Sequence, residues 1–190
     1  MNFYHKQGNV ALYKDMTRDY DACRICAKVK EVLPLRCTLL ELGMGLGKDL
    51  LALSKYYRVT GSDYSPLFLD EFCSKHPEIE VLEVNAANFS LNKKFDCIYS
   101  NKVLYHLSAP EFRRSLQLQA EHLNDHGMII MTMWYGTHRE EFYEDDLRFV
   151  YYTEWDIKEQ IPDSLEIETI ERYTEEEQDD SMWIVLRKKK

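Results

Sequence analysis

From residue 37 onward, short runs rich in apolar and β-branched residues alternate with segments whose apolar residues recur every three or four positions. That alternation limits the chain to one broad architecture, a mostly parallel sheet with helices on both faces. The first run, 37–42, ends in glycines, after which Leu46, Leu50, Leu53 and Tyr57 fall at helical spacing. Residues 58–63 read as a second strand, and Ser65 and Pro66 then supply an N-cap and a first helical residue for a helix running towards Lys75. Residues 79–84, 95–100 and 128–133 read as further strands, the last apolar enough for a sheet interior. Ser108 and Glu111 form a capping box that predicts a helix to about Leu123, followed by a turn at 124–127. Residues 134–152 make a long aromatic connection, and Thr153 with Asp156 opens a short helix limited by Pro162. Leu165, Ile167 and Thr169 alternate with acids and 182–186 offers a partner, so the last two strands read as an antiparallel hairpin with the acidic run 175–180 at its tip. The expected fold is α/β: a Rossmann-like three-layer αβα sandwich whose seven-stranded, mostly parallel sheet ends in an antiparallel C-terminal hairpin.

At 190 residues the chain fits one domain, 1–190. Within it, 1–33 reads as a helical cover in front of the sheet, 37–133 as a cofactor-binding core, 134–162 as a lid on the substrate side and 163–190 as the closing hairpin. No apolar run approaches the ~20 residues of a membrane-spanning helix. The first six residues lack the charged-then-apolar pattern of an export signal, so a cytoplasmic location is expected, with no membrane partner. A formal net charge of -9 opposes nucleic acid, and the basic run 187–190 reads as a solvated tail. Five scattered cysteines fit a reducing compartment; Cys23 and Cys26 make a CxxC without two further ligands, so no metal site is expected.

The chemistry concentrates at Glu41-Leu42-Gly43-Met44-Gly45-Leu46-Gly47, a strand-to-helix junction where glycines permit positive φ and close approach of a ligand. Asp63 follows Glu41 by 22 residues at the end of the second strand, where a carboxylate accepts hydrogen bonds from both hydroxyls of a ribose. Each feature has a purely structural explanation, a tight turn and a helix cap, but the pair points to a nucleotide-like cofactor. A dinucleotide fingerprint requires G-x-G-x-x-G, and Lys48 stands where its third glycine belongs. Glu41 also opposes a pyrophosphate while tolerating a cationic amino acid group.

These residues resemble the first motif of the class I S-adenosylmethionine-dependent methyltransferases, with Met44 where cysteine is common and Lys48 where arginine often stands; the resemblance covers roughly 37–187. Asp63-Tyr64-Ser65-Pro66 is similar to the family's ribose-binding segment. Asn85-Ala86-Ala87-Asn88-Phe89 resembles its adenine-binding segment, with Asn85 in place of the usual aspartate but keeping an acceptor oxygen. The run 95–107 resembles the fourth-strand motif, which places Ser100, Asn101 and His106 beside the cofactor's methionine end and the reacting methyl. The resemblance implies S-adenosylmethionine as cofactor, S-adenosylhomocysteine as product, and Glu41, Gly43, Met44, Gly45, Gly47, Asp63, Tyr64, Ser65, Asn85, Ala86, Ser100 and Asn101 as the residues around them. One of Tyr4, Tyr13 and Tyr20 is expected to touch the cofactor.

Methyl transfer is an in-line displacement that holds nucleophile and methyl about 3 Å apart and excludes water. His106 is the histidine placed to act as general base, against the alternative of a polar residue packed below the Ser108 cap. Trp134, Tyr135, Arg148, Tyr151 and Tyr152, with Tyr143 and Trp155, gather beyond the sheet's C-terminal edge and are expected to wall the site of a small-molecule substrate, though the same aromatics also suit a packed lid. A non-catalytic S-adenosylmethionine-binding or interaction protein is the alternative. A nicotinamide-dependent oxidoreductase lacks its third glycine here, and a nucleic acid methyltransferase is disfavoured by the acidic balance.

Overall fold

The structure, a computed structural model, describes residues 3–143 and 147–189. Met1 and Asn2, residues 144–146 of the expected lid and Lys190 of the basic run lie outside the described residues. A 3-10 turn at Phe3–His5 leads into α1 (Gln7–Met16) and α2 (Cys23–Val32), and then the alternation begins. It runs β1 (Thr38–Leu42), α3 (Lys48–Ser54), β2 (Arg58–Asp63), α4 (Pro66–Lys75), β3 (Val81–Glu83), β4 (Phe95–Asn101), a 3-10 turn at Leu104–His106, α5 (Ala109–Glu121) and β5 (Leu123–Trp134). A two-stranded ribbon, β6 (Arg139–Phe142) and β7 (Arg148–Tyr151), precedes α6 (Glu154–Gln160), and the hairpin β8 (Leu165–Tyr173) and β9 (Ser181–Lys188) follows.

The seven-stranded sheet has the order β3-β2-β1-β4-β5-β9-β8. Its first five strands pair in parallel, and β9 pairs antiparallel with both β5 and β8. Period-two alternation sorts each strand's side chains between the two faces. Leu39, Cys97, Tyr99, Met128, Ile130, Trp183 and Val185 pack with Ile25, Cys26 and Val29 of α2. Their neighbours Leu40, Ile98, Ile129, Met131, Ile184 and Leu186 pack with Phe112 and Leu116 of α5 and Ile157 of α6. The result is the three-layer sandwich.

Local details depart from the sequence reading. β5 starts at Leu123, not after a turn: Leu123 pairs with Phe95 and Met128 with Cys97, so 124–127 bulge from a strand already begun, with His126 at φ +62°. The third strand shrinks to three residues. The aromatic connection folds a ribbon of its own, in a stretch whose charged Arg139-Glu140-Glu141 hides the strand pattern. Ser65 occupies the N-cap of α4, but its hydroxyl donates to the Tyr4 carbonyl at 2.5 Å and leaves the helix end to Pro66. Both capping boxes close the start of their helices: Glu111 accepts from the Ser108 N–H at 2.8 Å and Asp156 from the Thr153 N–H at 2.8 Å. Among the described residues no helix is long and apolar enough to cross a membrane.

Candidate active site

Strand order reverses between β1 and β4, the switch point where open α/β sheets bind ligands beyond their carboxyl ends. A cavity of about 480 Å³ opens there, a volume suited to small molecules. Its lining comes from the residues just past β1 to β5: Gly43 and Met44, Tyr64 and Ser65, Val84 to Ala87, Lys102 and Val103, and Trp134 at the end of β5.

The glycine loop is left-handed at all three glycines, with φ of +71°, +51° and +72° at Gly43, Gly45 and Gly47. Gly43 and Gly45 line the cavity, and a Cβ on Gly43 would lie 2.6 Å from Val103. Gly47, read from the sequence as a ligand contact, instead faces away: a Cβ there would lie 2.2 Å from the Phe72 ring, so its role is to let α3 and α4 meet. Asp63 holds the loop's shape. One carboxylate oxygen accepts from the Gly45 N–H at 2.9 Å, the other from the Ser65 N–H at 2.8 Å, and burial raises its pKa against these bonds. Each oxygen retains a lone pair, so both hydroxyls of a ribose can still be accepted.

Glu41 is buried at 2% exposure and its Oε2 has no hydrogen-bond partner. Burial first, then the nearby carboxylates of Asp49 and Asp63, push its pKa well up. Such an orphaned acceptor suits a cationic donor in the cavity. Beside it Asp49, in the first turn of α3, accepts from Tyr99 Oη at 2.7 Å, Tyr20 Oη at 2.8 Å and Asn101 Nδ2 at 3.0 Å, bonds that oppose the upward pull of burial. Asn101 in turn accepts a short hydrogen bond from Thr132 Oγ1. On the adenine side, Asn85 and Ala86 line the cavity, but the Asn85 Oδ1 already accepts from the Ala87 N–H at 3.0 Å and shapes its own turn. Ser100 is buried behind the cavity wall with an unpartnered hydroxyl.

The N-terminal segment closes the front. Tyr4, Tyr13, Met16 and Tyr20 line the cavity, with the Tyr13 ring over Gly45. Lys48, at the start of α3, anchors this cover: its Nζ donates to the carbonyls of Thr17 (2.7 Å), Arg18 (2.8 Å) and Tyr20 (3.2 Å). The His5 ring bonds the Tyr64 carbonyl at 2.9 Å from the other side.

At the opposite end stand Lys102, Tyr105, His106, Glu111, Trp134, Arg148 and Glu175. His106 Nδ1 lies 2.7 Å from the Arg148 carbonyl and must donate to it, which leaves Nε2 as a bare acceptor. Burial lowers its pKa from 6.5 to about 4, so the ring is neutral at physiological pH. Lys102 sits at φ +54° with Nζ 2.7 Å from Ser181 Oγ, 3.0 Å from Glu175 and 3.2 Å from the centre of the Trp134 ring. Burial brings its pKa down to about 8 despite Glu175.

Of the aromatic cluster expected to wall a substrate, Trp134 and Arg148 reach the cavity and the others do not line it. Tyr152 is fully buried against Phe112, Tyr151 stacks on Arg139 and Tyr135 on Arg172, and Trp155 is solvent-exposed on α6. Forming the β6–β7 ribbon turns these rings outward or into the core. The sequence reading passed over Asp49, Lys102 and Glu175 as site residues. Asp49 and Lys102 flank motif residues already singled out, whereas Glu175 arrives from a hairpin tip that carries no local signal of a site.

A sequence profile of the methyltransferase domain matches residues 39–127. No curated protein matches the chain. Among solved structures, a 1,6-didemethyltoxoflavin-N1-methyltransferase from Burkholderia thailandensis, holding its substrate and S-adenosylhomocysteine, superposes with a TM-score of 0.82 at 16% identity over 96% of this chain and 85% of its own. An S-adenosylmethionine-dependent methyltransferase from Clostridium acetobutylicum gives 0.75 at 16% identity over 93% and 96%. An amino pentose methyltransferase from Micromonospora echinaspora, bound to S-adenosylmethionine, gives 0.74 at 14% over 97% and 98%. At such identities the likeness establishes a shared fold.

Proposed function

We propose that the protein transfers a methyl group from S-adenosylmethionine to a small-molecule acceptor, with S-adenosylhomocysteine as product; the methyltransferase-domain match over residues 39–127 and the fold shared with S-adenosylmethionine-dependent methyltransferases support this. The observation that carries this reading is the pairing of Asp63, which bridges Gly45 and Ser65 with lone pairs to spare, with the unpartnered Glu41 oxygen in the same cavity. A ribose diol and an amino acid ammonium at opposite ends of one ligand satisfy both groups.

In this reading Asp63 takes the ribose hydroxyls, and Met44, Tyr64, Ser65, Asn85 and Ala86 surround the nucleoside. Glu41, Gly43, Gly45 and Asn101 take the amino acid end, and Tyr13 covers the loop. The bound cofactor supplies a methyl on a sulfonium, already activated for displacement. The chain's own residues orient the acceptor, exclude water and receive its hydrogen bond at His106 Nε2. A ring with a pKa of about 4 positions an N–H or O–H rather than storing its proton. Trp134 and Arg148 serve as the acceptor-side wall, a role that fits the small-molecule acceptors named for the toxoflavin and amino pentose enzymes.

Isothermal titration with S-adenosylmethionine, S-adenosylhomocysteine and NADH tests the reading. Binding of both adenosyl ligands but not NADH is expected, and NADH binding alone would overturn it.

A further inference from the structure

We propose that the methyl acceptor is an amine, drawn in as its ammonium ion by Glu175 and Glu111 on either side of an aromatic wall; this rests on the methyl-transfer reading above. The wall is continuous. Glu175 pairs with Lys102, Lys102 lies on the face of Trp134, and Trp134 meets the Tyr105 ring at 6.4 Å. Tyr105 stacks beside His106 at 4.1 Å, His106 bonds the Arg148 carbonyl, and Arg148 pairs with Glu111 at 3.2 Å.

Among the described residues that line the cavity, five carboxylates stand against three cationic side chains, each of which has a partner within the protein. Lys48 is spent on three carbonyls, Lys102 on Ser181, Glu175 and the Trp134 face, and Arg148 on Glu111, with Glu140 4.0 Å away. At the acceptor end one donor stays without a hydrogen-bond partner among the described residues, the buried Arg148 Nε, which faces Glu140 at 4.0 Å, and the other open groups are acceptors. Among the described residues, the hydrogen bonds and ion pairs to Glu175, from Lys102, Tyr173 and Ser181, fall on Oε2, as do those to Glu111 from Ser108 and Arg148. No partner among the described residues falls on the second oxygen of either, which a ligand can then take. His106, only 9% exposed, presents a bare Nε2 lone pair to the same space.

Lys102 shows that this corner holds an ammonium, by one carboxylate, one hydroxyl and one indole face, the combination that recognises amine cations. The β8–β9 tip adds to the pull. Asp180 accepts the N–H groups of Glu175, Glu176 and Glu177, each at 2.9 Å, and so fixes an acid-rich loop beside the cavity, a field that concentrates cations.

The chemistry balances. The ammonium gives up one proton to Glu175 and thence to solvent. The freed lone pair forms the N–C bond as the C–S bond breaks, and the C–S electron pair passes to sulfur. The products are a methylated ammonium and the neutral thioether S-adenosylhomocysteine. A remaining N–H of the amine donates to His106 Nε2 throughout.

The test is calorimetric titration of S-adenosylhomocysteine-saturated protein with benzylammonium, benzyl alcohol and benzoate, in wild type and Glu175→Gln. Benzylammonium is expected to bind best and benzoate least. Glu175→Gln is expected to weaken the amine about 10-fold or more, as befits one charge-assisted contact, with S-adenosylhomocysteine affinity retained. Benzoate binding as well as the amine, or an unchanged amine affinity in the variant, would overturn the proposal. Failure of S-adenosylhomocysteine to bind would instead sink the methyl-transfer reading, and the same three titrants on the unliganded protein would then decide the amine claim by their order.

Discussion

Asp63→Asn cuts at the group on which the cofactor reading depends. The wild-type carboxylate accepts one backbone N–H on each oxygen, Gly45 at 2.9 Å and Ser65 at 2.8 Å, and keeps a lone pair on each for a ribose hydroxyl. Asparagine offers a single oxygen, so its amide nitrogen must face one of those N–H donors, and at least one hydroxyl loses its acceptor. A hydrogen bond to a charged group contributes about 1.5–3 kcal/mol, so losing one to two of them predicts S-adenosylhomocysteine binding weaker by about 10-fold to 10⁴-fold. The fold suffers separately: a buried N–H left facing a donor costs about 1–3 kcal/mol. Titration calorimetry reads the first effect. Denaturant melts of the unliganded protein read the second and show that the variant is folded at the titration temperature. If folded Asp63→Asn binds S-adenosylhomocysteine within about threefold of wild type, a difference below 1 kcal/mol, the ribose does not lie on Asp63 and the placement of the ligand is wrong.

Gly47→Ala forces a Cβ to 2.2 Å from Phe72 at φ +72°; a stability loss of about 2–5 kcal/mol is expected in urea melts, partly recovered by adding Phe72→Leu, and a loss under 1 kcal/mol would contradict the packing argument. His106 has its pKa depressed to about 4, so between pH 6.5 and 4 the unfolded chain binds a proton that the folded one does not. Stability therefore falls as pH drops through that window, by up to about 3 kcal/mol, and His106→Gln removes this share of the acid sensitivity; equal pH slopes in both proteins would refute it. The same neutral ring predicts that methyl transfer shows no activity change near pH 6.5 that disappears in His106→Gln, as read from a kcat profile. Lys48→Met releases the carbonyls of Thr17, Arg18 and Tyr20, and faster amide exchange over α1 with faster S-adenosylhomocysteine release in stopped flow is expected; unchanged exchange would show that the cover is held by its aromatic packing alone.

The layers were legible because the buried strands are apolar on both faces and the glycines at 43, 45 and 47 and the prolines at 66 and 110 mark where helices begin. The β6–β7 ribbon was not, because Arg139, Glu140 and Glu141 take charged positions on a partly solvated pair whose partners, Tyr151, Val150 and Phe149, lie several residues away. The cofactor side reads well from sequence because a left-handed loop demands Gly43, Gly45 and Gly47 locally. The acceptor side reads poorly because its groups meet only in three dimensions. Lys102 follows β4, Trp134 ends β5 and Glu175 sits at the β8–β9 tip, so no spacing in the chain joins them. Tyr152 shows the converse error. An aromatic residue near a site's sequence neighbourhood went to the core, where it packs on Phe112.

β9 follows every other strand along the chain yet occupies an interior position, between β5 and β8. Until it has emerged and inserted, the full hydrogen-bonding margin of β5 is open, with Ile130 and Met131 on either side of it, an adhesive edge in a crowded cell. A nascent chain halted before Met182 thus holds an intact glycine loop but an unsealed sheet. Quality control by chaperones or proteases would meet this protein chiefly as that late, sticky intermediate, and substitutions that slow insertion of β9 would lower its yield without touching the cavity.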